Sequence, residues 1–229
     1  MQINWHDIKD LESPLLQGAL TLYEHTFPEE LREPNEIMLR GVTDKATAAP
    51  NAFHLVVGTD EQGKVVAAST AHYFAKSKMG FIVYMMVDPT YQSSGIGGKL
   101  LGELERLFLE DASKHGEGLT GFVLETERLE DAHDEEEKVL TEKRMRFFKR
   151  HGLVFVENFP YKQPPLWATS PEVPLHLMVK WTGEHKEYVQ NDWLEVTQTI
   201  YLEKYRNINR IDSAILSSME LELAESVTD

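Results

Sequence analysis

Seven consecutive residues, Gln92-Ser93-Ser94-Gly95-Ile96-Gly97-Gly98, carry the plainest chemistry in the sequence. Lys99 follows and opens a stretch to Leu109 with helical spacing. A helix begins with unsatisfied N–H groups and the positive end of its dipole. Glycine lets a phosphate approach that backbone closely, so the pattern reads as a phosphate cradle. Two familiar nucleotide loops are excluded. A P-loop needs Gly-Lys-Ser/Thr at its end, and Lys99 is followed by Leu100. A dinucleotide fingerprint needs Gly-x-Gly-x-x-Gly, which Gly95, Gly97 and Gly98 do not supply.

A second chemical stretch runs from Glu125 to Glu137, where eight acids stand against one base, Arg128. Such a run is either a solvated loop or a means of recruiting a cation such as a polyamine, an aminoglycoside or a lysine side chain. His133 lies between Asp131 and Asp134, but the spacing matches no closed zinc pattern, and no metal is expected.

The elements that must position these groups follow from periodicity and punctuation. Ile3 to His6 suits a first edge strand. Ser13 and Pro14 suit the cap and first position of a helix with Leu15, Leu16, Ala19, Leu20, Leu22 and Tyr23 as its stripe. A second helix is expected from Asn35 to about Lys45. Ala52 to Thr59 and Lys64 to Phe74 flank Asp60-Glu61-Gln62-Gly63, a hairpin turn. Gly80 to Val87 reads as a largely buried strand ended by Asp88-Pro89. The cradle and a helix to Lys114 come next, with Leu100, Leu101, Leu104, Leu107 and Phe108 on the buried face. Gly121 to Thr126 is a fifth strand, Leu140 to His151 a helix stopped by Gly152, and Leu153 to Glu157 and Leu175 to Trp181 the last strands. His151 reads as a helix C-terminal cation. Beyond Gly183, Trp193, Val196, Ile200 and Lys204, then Ile208, Ile211, Ile215 and Met219, predict two amphipathic helices with a break near Asn207 and Asn209.

Composition narrows the class. The 229 residues, 41% of them hydrophobic, suffice for one large domain, or one domain with an appendage. Cysteine is absent, which excludes disulfides and thiolate metal sites. No run of about 18 apolar residues exists to span a membrane, and the N-terminal residues lack the pattern of a secretory signal, so a cytoplasmic protein is expected. A net charge of −15 opposes nonspecific nucleic-acid binding and permits a cationic substrate.

Gln-x-x-Gly-x-Gly after a strand ending in Val87-Asp88-Pro89 resembles the acyl-CoA site of the GNAT superfamily of N-acetyltransferases. The order strand, two helices, three strands, helix, strand, helix, two strands resembles it too, over roughly residues 1 to 182. The resemblance implies a mixed α/β (α+β) fold with a largely antiparallel central sheet flanked by helices, and residues 183 to 229 as a helical C-terminal extension. It implies acetyl-CoA as co-substrate. The backbone of Met85 and Val87 would pair with its pantetheine arm. The N–H groups of Gln92, Ser93, Ser94, Gly95, Ile96, Gly97 and Gly98 would take its pyrophosphate. Ser93 and Ser94 replace basic residues common in this loop, which leaves Lys99 as the nearby cation. The loop from Phe27 to Arg32 would rim the acceptor pocket, or serve only as a connector.

Many relatives read Phe-Tyr-x-x-x-Gly before the sixth strand, and the tyrosine protonates the departing thiolate. This chain reads Phe147-Phe148-Lys149-Arg150-His151-Gly152. Three outcomes stay open: another group acts, the thiolate leaves to water, or the protein is not an active acetyltransferase. Tyr161 is the substitute acid. Its stretch, Tyr161 to Leu166, resembles the Tyr-x-x-Pro-Pro-Leu segment of one bacterial group; the alternative is a packed aromatic in a proline-rich loop. Glu125 is the candidate base, acting through water or by binding a cationic amine, with Glu127 second. Val123, Glu125 and Glu127 share one strand face. Its alternative is a solvated strand end, and burial would raise its pKa toward that of a useful base.

The expected activity is direct acetyl transfer from acetyl-CoA to the primary amine of a small cationic molecule. The rival is a silent CoA-binding regulatory or interaction protein. The C-terminal helices would pack back on the sheet, form a homodimer interface or cap the pocket.

Overall fold

The structure, a computed structural model, describes residues 2–27, 32–43, 49–167, 170–182 and 188–228. By their internal contacts the residues form two compact units, Met1–Leu119 and Thr120–Asp229. The 182/183 boundary expected from composition and most of the rim loop after Phe27 lie outside the described residues.

The first unit is built on four successive antiparallel strands, β1 (Asn4–Asp7), β2 (Ala52–Thr59), β3 (Val65–Phe74) and β4 (Met79–Val87). β2 and β3 are buried almost from end to end, because helices pack against the strands. That explains why neither strand shows the alternation that would mark a sheet wet on one face, and why even His54, Ser69, Thr70 and His72 are buried. The helices are α1 (Leu16–Thr26), α2 (Asn35–Thr43) and α3 (Ile96–Lys114). Leu16, Ala19, Leu22 and Tyr23 of α1 join Leu55, Val57, Ala68, Tyr84 and Met86 in one core. The expected helix start at Ser13–Pro14 comes two residues early. Ser13 instead makes a turn, its carbonyl accepting from Leu16 N at 3.1 Å.

The β2–β3 turn forms where expected. Asp60 Oδ1 accepts from Gln62 N at 3.0 Å and Lys64 N at 2.9 Å. β4 carries a bulge not foreseen in the sequence. Thr70 faces Tyr84 while Ala71 faces Ile82, which leaves Val83 as an extra residue. Past the bulge, Tyr84 and Met86 are buried and Val83, Met85 and Val87 half-buried.

In the second unit β5 (Gly121–Thr126) pairs antiparallel with β9 (His176–Trp181), which also pairs with β6 (Val154–Phe155). β6 is two residues long where five were expected. A small hairpin, β7 (Lys162–Gln163) with β8 (Val173–Pro174), was not foreseen. α4 spans Glu135–Arg150 and so begins inside the acidic run. Asp134 caps it, accepting from Glu137 N at 2.8 Å. Glu135, Glu136 and Glu137 then occupy the first turn, where the dipole favours negative charge. At the other end His151 Nδ1 lies 2.8 Å from Phe147 O in the last turn.

α5 (Gln190–Ile200) runs into a π-helical turn, Tyr201–Arg206, and α6 (Ser213–Thr228) follows. The expected break near Asn207 is present. The extra residue of a π turn closes i→i+5 bonds, as between Asn207 N and Leu202 O at 3.0 Å. It brings Tyr201, Lys204 and Tyr205 together as buried residues. The fold is mixed α/β with largely antiparallel strands, flanking helices and helices at the C-terminus, as expected.

Candidate active site

The cradle sits at the end of β4. Asp88 N donates to Val66 O at 2.9 Å, so Asp88 and Val66 form a hydrogen-bonded pair. Such pairs alternate along an antiparallel ladder. Met85 and Val87 are therefore the residues whose N–H and C=O point away from β3. Asp88 caps a short 3-10 turn, Pro89–Tyr91, by accepting from Thr90 N at 2.9 Å and Thr90 Oγ1 at 2.6 Å. The Lys64 ammonium at 2.8 Å, together with Thr90, holds the Asp88 carboxyl down at about 2. Tyr91 donates its hydroxyl to Asp60 Oδ2 at 3.0 Å, which ties the cradle to the β2–β3 turn.

After Tyr91 the chain turns through two left-handed residues, Ser93 (φ 63°) and Gly95 (φ 81°). α3 starts at Ile96, and its first backbone bond from this turn is Lys99 N to Gly95 O at 3.2 Å. The N–H groups of Ile96, Gly97 and Gly98 thus precede the first intrahelical bond. No acidic side chain stands in this first turn and no side chain caps it. Gln92, Ser93, Ser94, Gly95 and Lys99 are exposed, and Ser94 Oγ turns back to Tyr91 O at 2.5 Å. This is an open, electropositive backbone end that fits a pyrophosphate.

Gly95 permits that geometry. A Cβ added there would meet nothing within 4 Å, so the cost of Gly95→Ala is conformational: about 1 kcal/mol for a left-handed alanine. Urea unfolding should show that loss. Calorimetry should show acetyl-CoA binding weakened several-fold, because relaxing φ rotates the N–H groups. Unchanged affinity would remove the turn from the cofactor site.

In the second unit, Glu125 and Tyr161, chosen separately from the sequence, meet. The Tyr161 hydroxyl donates to Glu125 Oε1. Gln163 Nε2 donates to Oε2 at 2.9 Å. Tyr205 lies 2.8 Å from Oε1 and 3.0 Å from Oε2. Glu125 is half-buried, while Tyr161 and Tyr205 are 1% and 0% exposed. Burial, and then the Glu125 charge, push the Tyr161 phenol well above its usual pKa. It therefore keeps its proton throughout the neutral range. Its backbone is pinned by Leu175 N, which donates to Tyr161 O at 3.1 Å.

Phe148, at the position where a tyrosine was sought, is buried on α4 and has no proton to give. Glu127 is ion-paired with Arg144. Arg128 Nε lies 3.1 Å from Glu130 and 2.9 Å from Asp131, so part of the acidic run is internally neutralised. His133 is exposed, with Nδ1 3.0 Å from Glu137. Gln163 and Tyr205 were not singled out in the sequence. The only trace was the i, i+4 spacing of Tyr201 and Tyr205 beside an apolar stripe.

A family model for acetyltransferases of the GNAT family matches residues 15–134, a little over half of the chain. The chain belongs to that family, which uses acetyl-CoA as co-substrate, and so to the acyl-CoA-dependent acetyltransferases. Among solved structures it is similar to a GNAT-family protein from Bacteroides thetaiotaomicron, at 18% identity and a TM-score of 0.64, over 86% of this chain and 96% of that one. It is also similar to an acetyltransferase of the GNAT family from Staphylococcus aureus Mu50, at 12% identity and 0.52, over 79% and 99%. The ribosomal-protein-S18-alanine N-acetyltransferase of Escherichia coli matches at 15% identity and 0.51, over 82% and 99%. At such identities these likenesses concern the fold. No curated protein sequence matches the chain.

Proposed function

We propose that this protein transfers an acetyl group from acetyl-CoA to the primary amine of a small, cationic molecule, directly within a ternary complex. The observation that carries the reading is the uncapped N-terminus of α3 beyond the Ser93–Gly95 turn, next to a strand whose Met85 and Val87 backbone turns away from β3. In the reaction the amine nitrogen bonds to the thioester carbon, the C–S bond breaks, the amine loses a proton and the thiolate gains one. Glu125 is assigned the base role and Tyr161 the acid role. The segment from Tyr161 to Leu166 aligns the protein with the bacterial group that shares it. The cationic acceptor rests on the net charge of −15 and on the acidic run. A cytoplasmic location suits a CoA thioester substrate; among the described residues no helix is long and apolar enough to cross a membrane.

One observation favours a second reading. Phe148 stands where the proton donor was expected, which suits a CoA-binding regulatory protein without turnover.

Thermal denaturation with acetyl-CoA tests the cofactor half. A ligand at a hundred times its Kd stabilises the native state by about 2.7 kcal/mol. A rise of several degrees in Tm is expected at millimolar acetyl-CoA, and no rise overturns the reading. An amine panel with thiol-release detection then separates enzyme from binder. Stabilisation without thiol release from any amine selects the second reading.

A further inference from the structure

We infer that Tyr205, delivered by the π turn of the C-terminal helices, is a positioning residue for the Glu125 carboxylate, so that these helices are a working part of the proton-handling site. A carboxylate on an open strand end would sample several rotamers and share its lone pairs with solvent. Glu125 instead accepts from side chains on two segments distant in sequence: Tyr161 and Gln163 at β7, and Tyr205 on the π turn. The Tyr205 hydroxyl lies within reach of both oxygens, and its single proton, shared between them or given to either, holds the carboxylate head in place. The turn reaches Glu125 across 80 residues of sequence, and Tyr205 is fully buried when it does so.

The same turn anchors the neighbouring hairpin. Tyr201 donates to Lys162 O at 2.5 Å, next to Gln163. Lys162 Nζ lies 3.0 Å from Glu172 on one side and 3.1 Å from Glu222 of α6 on the other. The C-terminal segment therefore holds Glu125 twice, directly through Tyr205 and through the hairpin that presents Gln163. A regular α-helix would carry residues 201 and 205 at one fixed spacing on its face. The π turn widens that register at the point where both hydroxyls find acceptors.

Hydrogen bonds donated to a carboxylate favour its charged form. The charged and titratable groups around Glu125 include Tyr161, Tyr205 and, farther out, Tyr201; Lys204 shares the π turn, and Lys162 on the hairpin pairs with Glu172 and Glu222. Removing the Tyr205 hydroxyl alone leaves these in place. The kinetic arm of the test rests on the acetyltransferase reading; the titration arm rests on geometry alone.

In the full chain, with glutamate carboxyls labelled with carbon-13, the Glu125 signal is identified by its loss in Glu125→Gln. Tyr205→Phe is expected to raise the titration midpoint of that signal by about one pH unit, the share of one charge-assisted hydrogen bond. The acidic limb of kcat against pH moves by the same amount, while the Kd for acetyl-CoA holds. Tyr201→Phe, which reaches the carboxylate only through the hairpin, moves the midpoint by clearly less than Tyr205→Phe does. An unmoved midpoint in Tyr205→Phe overturns the inference. Equal shifts in both variants also overturn it, since general loosening would then suffice. If the midpoint moves as expected but the wild-type protein transfers no acetyl group, positioning stands and the acetyltransferase reading falls.

Discussion

Asp111→Asn is expected to lower the melting temperature by roughly 10 °C. Asp111 on α3 and Asp7 on β1 hold the imidazole of His54 on β2 between them, with Nε2 to Asp111 at 2.6 Å and Nδ1 to Asp7 at 2.7 Å. His54 and Asp111 are each 3% exposed. Ionised carboxylates only accept, so both ring nitrogens donate and the imidazole is a buried cation. Burial alone would pull its pKa down, but the hydrogen bonds to Asp111 and Asp7 outweigh it and the net shift is upward. Burial likewise raises Asp111, and the bonds to His54 and Lys114 bring it below its usual value. Removing one partner of a buried pair costs about 3–5 kcal/mol, and 1 kcal/mol is worth roughly 2–4 °C in a chain of this size. The sign of the pH effect follows. A raised histidine pKa stabilises fully below the unfolded value of 6.5, and that stability is lost as pH rises through the folded value. The depressed Asp111 contributes above 3.8 and is lost as pH falls below it. Urea unfolding should give the wild-type protein its greatest stability between these limits and a decline from pH 6.5 to 9, with a smaller decline in Asp111→Asn. Stability that is flat or rising over that interval would show that His54 is not held as a cation.

That triad had no trace in the sequence, because 47 and 57 residues separate its members. What could be read was what the chain settles locally. The Asp60–Gly63 turn, the Val87–Pro89 strand end and the Gly95 start of α3 each depend on a few adjacent residues whose backbone preferences agree. Where two local signals competed, the boundary slipped. Ser13–Pro14 looked like a helix cap, yet made a turn before the helix. Glu135 to Glu137 looked like a solvated loop, yet a capped helix turn is where such charges are stabilised. The β4 bulge and the β7–β8 hairpin depend on tertiary pairing and left no local mark.

The candidate site divides along the same line. The cradle is one contiguous stretch, so residue types and spacing exposed it. The Glu125 cluster is assembled from three segments, and only the two members with obvious proton chemistry were named. Gln163 reads as a loop amide. Tyr205 reads as one more aromatic in an amphipathic helix until the π turn rotates it onto a carboxylate.

Glu125→Gln is expected to reduce kcat by 10²- to 10³-fold, within the range that positioned acid–base groups supply. The variant keeps the side-chain volume but puts an amide donor where Gln163 and Tyr205 already present hydrogens. One buried donor is left opposite another, at a cost of about 1–3 kcal/mol in stability. Tyr161→Phe removes the protonated phenol and leaves Glu125 with Gln163 and Tyr205 as donors. It should lower kcat by a similar factor with a smaller loss of stability, because Gln163 and Tyr205 still donate to the carboxylate. The two groups share one hydrogen bond, so the double variant should be scarcely worse than the more damaged single one. Acetyl-CoA affinity, which the proposed function assigns to the cradle of the first unit, should stay within twofold in all three. Steady-state kinetics on an accepted amine, with calorimetry for the cofactor, decides the matter. Turnover that survives both substitutions would take the proton chemistry away from this cluster. Fully additive losses would mean that Glu125 and Tyr161 act separately, in spite of the bond between them.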